Sequence, residues 1–246
     1  MRNLRLKLKF VGTKFHGWQI QENAKSVQGE IQKAVDRIFG DNSPVYGCSR
    51  TDAGVHANEY YCNFHTNKTI PCGKTVDAVN ANIDDDISVI SCDEVDADFH
   101  SRYDCKSKEY IYLIRNSSVR DPFLNGRVWL YKYKLDEELM NKAAINFIGK
   151  YDFASFCSTG SSVVDTVRTV TDAKVERDGD ILKFTVSADG FLYNMVRIMT
   201  GTLVNVSENK IDPDDIKKII LSKDRSLAGI TAPPQGLYLN RVLYEK

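Results

Sequence analysis

The chain of 246 residues lacks an excess of charge: 33 Lys and Arg stand against 33 Asp and Glu, so its formal net charge near neutral pH is zero. That excludes a histone-like, uniformly basic nucleic-acid binder. A locally basic surface stays open, because a sum is silent on arrangement. Cysteine is sparse. Cys48, Cys62, Cys72, Cys92, Cys105 and Cys157 lie ten or more residues apart with no C-x-x-C pair, which argues against zinc and disulfides and for reduced, semi-buried thiols. No run approaches the roughly 20 apolar residues of a membrane helix. The segment Met1–Lys7 alternates charged and apolar residues where a signal peptide would be continuously apolar, so a cytoplasmic protein is expected. No low-complexity stretch or Gly/Ser-rich linker occurs. What remains, 42% hydrophobic and 27% charged, is the composition of a folded globular chain with room for one large domain or two modest ones.

Leu4, Leu6, Leu8 and Phe10 alternate with Arg5, Lys7 and Lys9, which predicts a strand with one apolar and one basic face. Ser26 is placed to cap a helix through Val27, Ile31, Ala34, Val35 and Ile38, stopped by Gly40. Further strands are expected at Glu59–His65, Ile87–Cys92, Lys108–Arg115 and Val128–Tyr133. In the second half Asp136 caps a helix that ends at Gly149, strands follow near Val167–Val175 and Ile181–Ser187, and a helix runs from about Leu192 to Val204. A short helix opens at Asp212-Pro213, and Gly236–Leu243 reads as a last strand. Strands and helices alternate, with several short turns between neighbouring strands. The pattern favours an α+β chain of mainly antiparallel sheets over a doubly wound parallel one. Two domains of similar order are expected, 1–105 and 106–246, each a sheet with helices on one face.

Charge is segregated along the chain. Asp84 to Asp98 holds seven acids and no base, whereas Arg102 to Arg120 carries five bases against two acids. With Arg5, Lys7 and Lys9, the bases are interleaved with Phe10, Tyr103, Tyr110 and Tyr112, a composition suited to RNA. A basic face is expected on one side and the acids of Asp84–Asp98 on a side turned away. Two other motifs fail. Gly73-Lys74-Thr75 lacks the glycine a phosphate loop needs five positions earlier, where Lys68 stands, and His56 with Glu59 at i+3 does not match the zinc-deaminase spacing. The remaining histidines share no ligand spacing, and no metal is expected.

The informative segment is Arg50-Thr51-Asp52-Ala53-Gly54-Val55-His56. By composition alone an aspartate beside small residues and a glycine stabilises a tight turn. As a string, it closely resembles the catalytic motif of the tRNA pseudouridine synthase A (TruA) family. The resemblance runs on in order through Phe15-His16-Gly17-Trp18-Gln19, Ser26-Val27-Gln28, Asn80-Ala81-Asn82, Phe99-His100-Ser101-Arg102-Tyr103 and Lys108-Glu109-Tyr110-Ile111-Tyr112. Asp152–Phe156, Thr166-Val167-Arg168, Gly190–Arg197 and Ala232–Leu239 continue it to the end of the chain.

This resemblance implies isomerisation of uridine to pseudouridine at positions 38, 39 and 40 of the tRNA anticodon arm, without metal or organic cofactor. It also implies a homodimer and a catalytic cleft between the domains. Asp52 carries over as the catalytic carboxylate, which can attack sugar or uracil, or take a proton from C2′. Arg197 matches the arginine that pairs with it, and a planar guanidinium can hold a carboxylate ionised. Tyr110 matches the tyrosine that stacks on the target base; by pattern alone it is a strand residue sharing a face with Tyr112. Arg50 is implied to fill the space of an extruded nucleotide, and Phe99, His100, Ser101, Arg102 and Tyr103 to contact RNA. Ser49 and Asn194 read as tolerated variation. The extra arginine that some relatives carry just before the position of Arg168 is missing from Val163–Val167.

Overall fold

The computed structural model describes residues 1–40, 42–160 and 163–244. Two compact units form, Met1–Lys106 with Leu239–Lys246, and Ser107–Tyr238. The final residues therefore pack with the first unit, although the chain reaches them from the second.

In the first unit, strand β1 (Arg2–Phe10) lies between β3 (His56–Thr66) and β4 (Ile87–Val95), antiparallel to both. The short β2 (Tyr46–Gly47) and β10 (Leu237–Tyr244) both neighbour β3 along its edge away from β1. The alternation in β1 places Leu4, Leu6 and Leu8 opposite Phe64, Cys62 and Tyr60 of β3, and all six are fully buried. Helix α1 (Val27–Phe39) covers that face, with Phe39 and Phe64 rings 5.0 Å apart. Its start and stop follow the expected chemistry. Ser26 accepts a hydrogen bond from Gly29 N–H, and Gly40 adopts φ +68°. Helix α2 (Cys72–Asn80) packs on β4 and was not anticipated, because only Thr75 and Val79 are buried and no side chain caps it. It contains Gly73-Lys74-Thr75, which is thus helix and not a loop.

The other face of this sheet carries Arg5 and Lys7, and here the expected separation of charge is overturned. Arg5 stands directly opposite Asp93 of β4 and pairs with it at 3.4 Å. Arg2 pairs with Glu94 at 2.9 Å, Lys7 with Glu59 at 2.7 Å, Lys14 with Asp86 at 2.7 Å and Lys25 with Asp84 at 2.5 Å. Antiparallel pairing of β1 with β4 brings the acidic segment onto the basic strand. The two neutralise each other locally instead of occupying opposite sides.

The second unit is built on β5 (Cys105–Asn116), β9 (Ile181–Ala188), β8 (Val167–Asp178) and β7 (Gly149–Asp152), neighbours in that order and antiparallel. A short β6 (Trp129–Tyr131) joins β5 in parallel, the exception to the antiparallel pattern. Tyr112, Ile114, Leu182, Phe184, Val186, Ala173 and Val175 form the buried face, against which α3 (Glu137–Ile145) lays Met140, Ala143 and Ala144. That helix ends at Ile145, short of Gly149, whose φ of +135° opens β7. Helix α4 (Met195–Ser207) is buried almost all round, and its Thr200 and Thr202 hydroxyls donate back to the carbonyls of Val196 and Ile198. Asp212 and Pro213 open a single 3-10 turn that leads into α5 (Ile216–Ser222).

Candidate active-site loop and substrate residues

Asp52 stands half-buried on the turn that joins β2 to β3, in the first unit. The main chain on both sides of it is held by segment 12–18. Trp18 N–H donates to Thr51 C=O at 3.1 Å, Gly54 N–H to Phe15 C=O at 3.2 Å, and Val55 N–H closes the turn on Asp52 C=O at 3.2 Å. Gly17 has φ +83°, and a Cβ there would collide with the carbonyl of Thr51 and lie 3.1 Å from Asp52 C. Only glycine allows both that dihedral and that approach. Gly12 meets Val55 in the same way, while its N–H donates to His56 Nδ1 at 2.9 Å, which leaves the proton of neutral, buried His56 on Nε2.

Behind the turn, the Trp18 and Tyr60 rings stack at 4.2 Å and 26°, and the Tyr60 hydroxyl donates to Ser49 C=O. A carboxylate is thus presented from a backbone fixed before, at and after it, which suits a group that must meet a reacting atom with little reorganisation. Sequence reasoning named Asp52 but gave no role to Gly12, Gly17 or His56. The Phe15–Gln19 string was the available signal, and it marks this support.

Tyr110 and Arg197 both lie in the second unit. Tyr110, 6% exposed, is opposite Val186 on β5 and meets the edge of the Phe191 ring at 4.9 Å and 81°. Two residues on, and so on the same face of the strand, Tyr112 donates its hydroxyl to Pro233 C=O at 2.6 Å. Burial pushes that hydroxyl far above the usual tyrosine range, and the charge of Arg197 pulls it the other way. Arg197 is in the first turn of α4, where Nε donates to Ala232 C=O at 2.7 Å and a terminal nitrogen donates to Asn194 Oδ1 at 2.6 Å. Asn194 is therefore not idle variation. It takes φ +61°, a conformation asparagine tolerates, donates to Ser158 Oγ at 2.9 Å, and aims the arginine. Segments 191–197 and 232–233 thereby gather Tyr110, Tyr112 and Arg197.

The residues expected to contact RNA separate into two sets. Arg50, His100, Arg102 and Tyr103 line one depression of about 220 Å³ in the first unit, together with Trp18, Tyr46 and neighbours. Phe99 and Ser101 turn inward. Phe99 packs under the Arg5 guanidinium at 5.5 Å, in a box completed by Tyr61 and Tyr244. Ser101 is fully buried, its N–H donating to Asn63 Oδ1 at 2.9 Å and its carbonyl accepting from the Tyr244 hydroxyl at 2.7 Å. Ser101 offers a ligand no side-chain surface, whereas Phe99 is half-buried, as His100 is.

The six cysteines form no disulfide, and burial pushes the Cys62 thiol well above its ordinary range. Among the described residues, no group of three His, Cys, Asp or Glu could hold a metal, and no helix is long and apolar enough to cross a membrane.

A sequence profile described as tRNA pseudouridine synthase matches residues 8–104 and 143–245, which include the Asp52 turn and the Arg197 helix. The chain belongs to this family. A tRNA pseudouridine synthase A of Acetivibrio thermocellus is 48% identical over 244 residues, covering 99% of this chain and 100% of the relative. Proteins of the same description from Clostridium acetobutylicum and a Thermoanaerobacter species are 46% and 45% identical over equal coverage.

Proposed function

We propose that the chain isomerises uridine to pseudouridine at positions 38, 39 and 40 of the tRNA anticodon arm. Asp52 acts as the catalytic nucleophile, and Tyr110 and Arg197 bind the substrate uridine. The observation that carries this reading is the half-buried Asp52 carboxylate on a turn whose backbone is hydrogen-bonded by Phe15 and Trp18 and closely approached by Gly17, with the following His56 ring accepting from Gly12 N–H. Family membership supplies the reaction class.

The chemistry balances within one molecule. As the carboxylate bonds to C1′, the N1–C1′ bond breaks and its electron pair leaves on the uracil. The ring rotates, C5 bonds to C1′ as the carboxylate leaves, C5 loses its proton and N1 gains one. Nothing is oxidised, and no second substrate enters. An aromatic face suits the rotating ring, and a fixed guanidinium suits the negative charge it carries on leaving. Arg50, His100, Arg102 and Tyr103 are assigned to RNA contact. Phe99 and Ser101 are assigned to holding that segment in place.

We assign the working form to a cytoplasmic homodimer that needs neither metal nor cofactor. Mapping pseudouridine in tRNA after incubation with the purified protein tests the reading. Modification confined to positions 38 to 40 is expected, and unmodified tRNA, or modification elsewhere, overturns it.

A further inference from the structure

We propose that Cys72 and Cys92 form a peroxide-sensitive thiol pair, joined by a disulfide when a hydroperoxide oxidises Cys72. Cys72 is the first residue of α2, and Cys92 lies on the edge strand β4 against which that helix packs. Cys72 is half-buried and Cys92 buried, so an accessible sulfur stands in front of a sheltered one.

Strand register and helix packing bring the two sulfurs to one place. Cys92 stands opposite Leu6 and Glu94 opposite Leu4, so both point to the face that buries those leucines. Arg2, two residues before Leu4, sends its side chain the same way. Its guanidinium donates to Glu94 at 2.9 Å, to the carbonyls of Lys68 and Ile70 at 3.2 and 2.8 Å, and to Cys72 Sγ at 4.0 Å. One side chain of β1 thus pins the start of α2 beside β4. Burial, and after it a hydrogen bond with the Cys72 thiol, push the Cys92 thiol above its usual range, while the charge of Arg2 pulls it the other way.

The surroundings of Cys72 suit attack on an O–O bond. A Cβ at Gly73 would meet nothing within 4 Å, so the first turn of α2 is open to a small reagent. The N-cap is Pro71 and no side chain caps the helix, so its first N–H groups and the Arg2 guanidinium face the sulfur anion as it forms. Attack on hydrogen peroxide breaks the O–O bond, leaves a sulfenic acid on Cys72 and releases hydroxide. The Cys92 sulfur then attacks the sulfenic sulfur. The S–S bond forms, the S–O bond breaks, and the oxygen leaves as water with the proton of the Cys92 thiol. Both thiols are oxidised and the peroxide is reduced to water. A sheltered second thiol stops the oxidation at a disulfide, which a dithiol reverses by exchange. Cys48 and Cys62 are fully buried and lie out of reach of the same reagent.

Peroxide treatment of the reduced, full-length chain tests this. After a short exposure to hydrogen peroxide, free thiols are alkylated, the chain is digested without reductant and the peptides are weighed by mass spectrometry. A linked pair of peptides carrying Cys72 and Cys92 is expected, absent before oxidation and lost on treatment with dithiothreitol, while Cys48 and Cys62 remain thiols. In Cys92→Ser, Cys72 has no partner, and its sulfenic acid should be trapped by dimedone at about fivefold or more the level in wild type. Free Cys72 and Cys92 after peroxide, a link between other cysteines in place of this one, or equal dimedone labelling of Cys72 in wild type and Cys92→Ser overturns the inference.

Discussion

The first strand and the loop at His100–Tyr103 both interleave cations with aromatic residues, yet they use them in opposite ways. On β1, Arg5 is covered by Tyr61, Phe99 and Tyr244 and paired with Asp93, and Arg2 and Lys7 have carboxylates of their own. At the loop, the rings stack on one another while Arg50 and Arg102 point their charge at a depression. A cation–aromatic pattern in sequence is thus a structural brace where strand pairing supplies acids, and a candidate RNA surface where it does not.

The contrast can be broken by substitution, and the largest effect is expected at the brace. Arg5→Ala removes three ring contacts and strands Asp93, and should cost about 2 kcal/mol of stability in chemical denaturation while leaving the salt dependence of tRNA binding unchanged. A shallower salt slope in that variant would place β1 at the RNA after all.

Arg50→Ala and Arg102→Ala should do the reverse. Each is expected to lower the slope of log affinity against log salt by roughly 0.7 to 0.9, as the loss of one phosphate contact does, with stability kept within about 0.5 kcal/mol. Unchanged slopes would remove these residues from the interface.

The smallest effect belongs to the exposed pairs. Lys25 draws the Asp84 carboxyl below its usual range, helped by the N–H of Asp86. A depressed carboxylate stabilises above its unfolded pKa, and that contribution fades as pH falls through the folded value. Lys25→Ala should therefore cost no more than about 1 kcal/mol at neutral pH and nothing in acid below the usual carboxylate range, read from denaturation midpoints across pH. A difference that persists in acid would mean Lys25 acts through packing.

Much of the fold could be read from periodicity, because β1, α1 and the β5 region pack by the rules their patterns obey. What could not be read was partnership across distance. Nothing local tells that Asp93 will stand opposite Arg5, since register depends on the whole of β1 and β4. Helix α2 escaped notice because it buries so little, and α4 starts three residues late because Asn194 adopts a left-handed backbone. At the candidate site, Asp52, Tyr110 and Arg197 were named through family resemblance rather than physics. The supports Gly12, Gly17 and His56 became visible only when distant segments were brought into contact, and Asn194 only when its left-handed backbone placed it beside Arg197.

Release of tritium from tRNA labelled at uridine C5 tests the central claim most directly, in a single turnover with Asp52→Asn saturated with tRNA. The substitution keeps the shape of the side chain and the clamped turn while removing the nucleophilic charge. The account predicts tRNA affinity close to wild type with no release above background; release at the wild-type rate would contradict it.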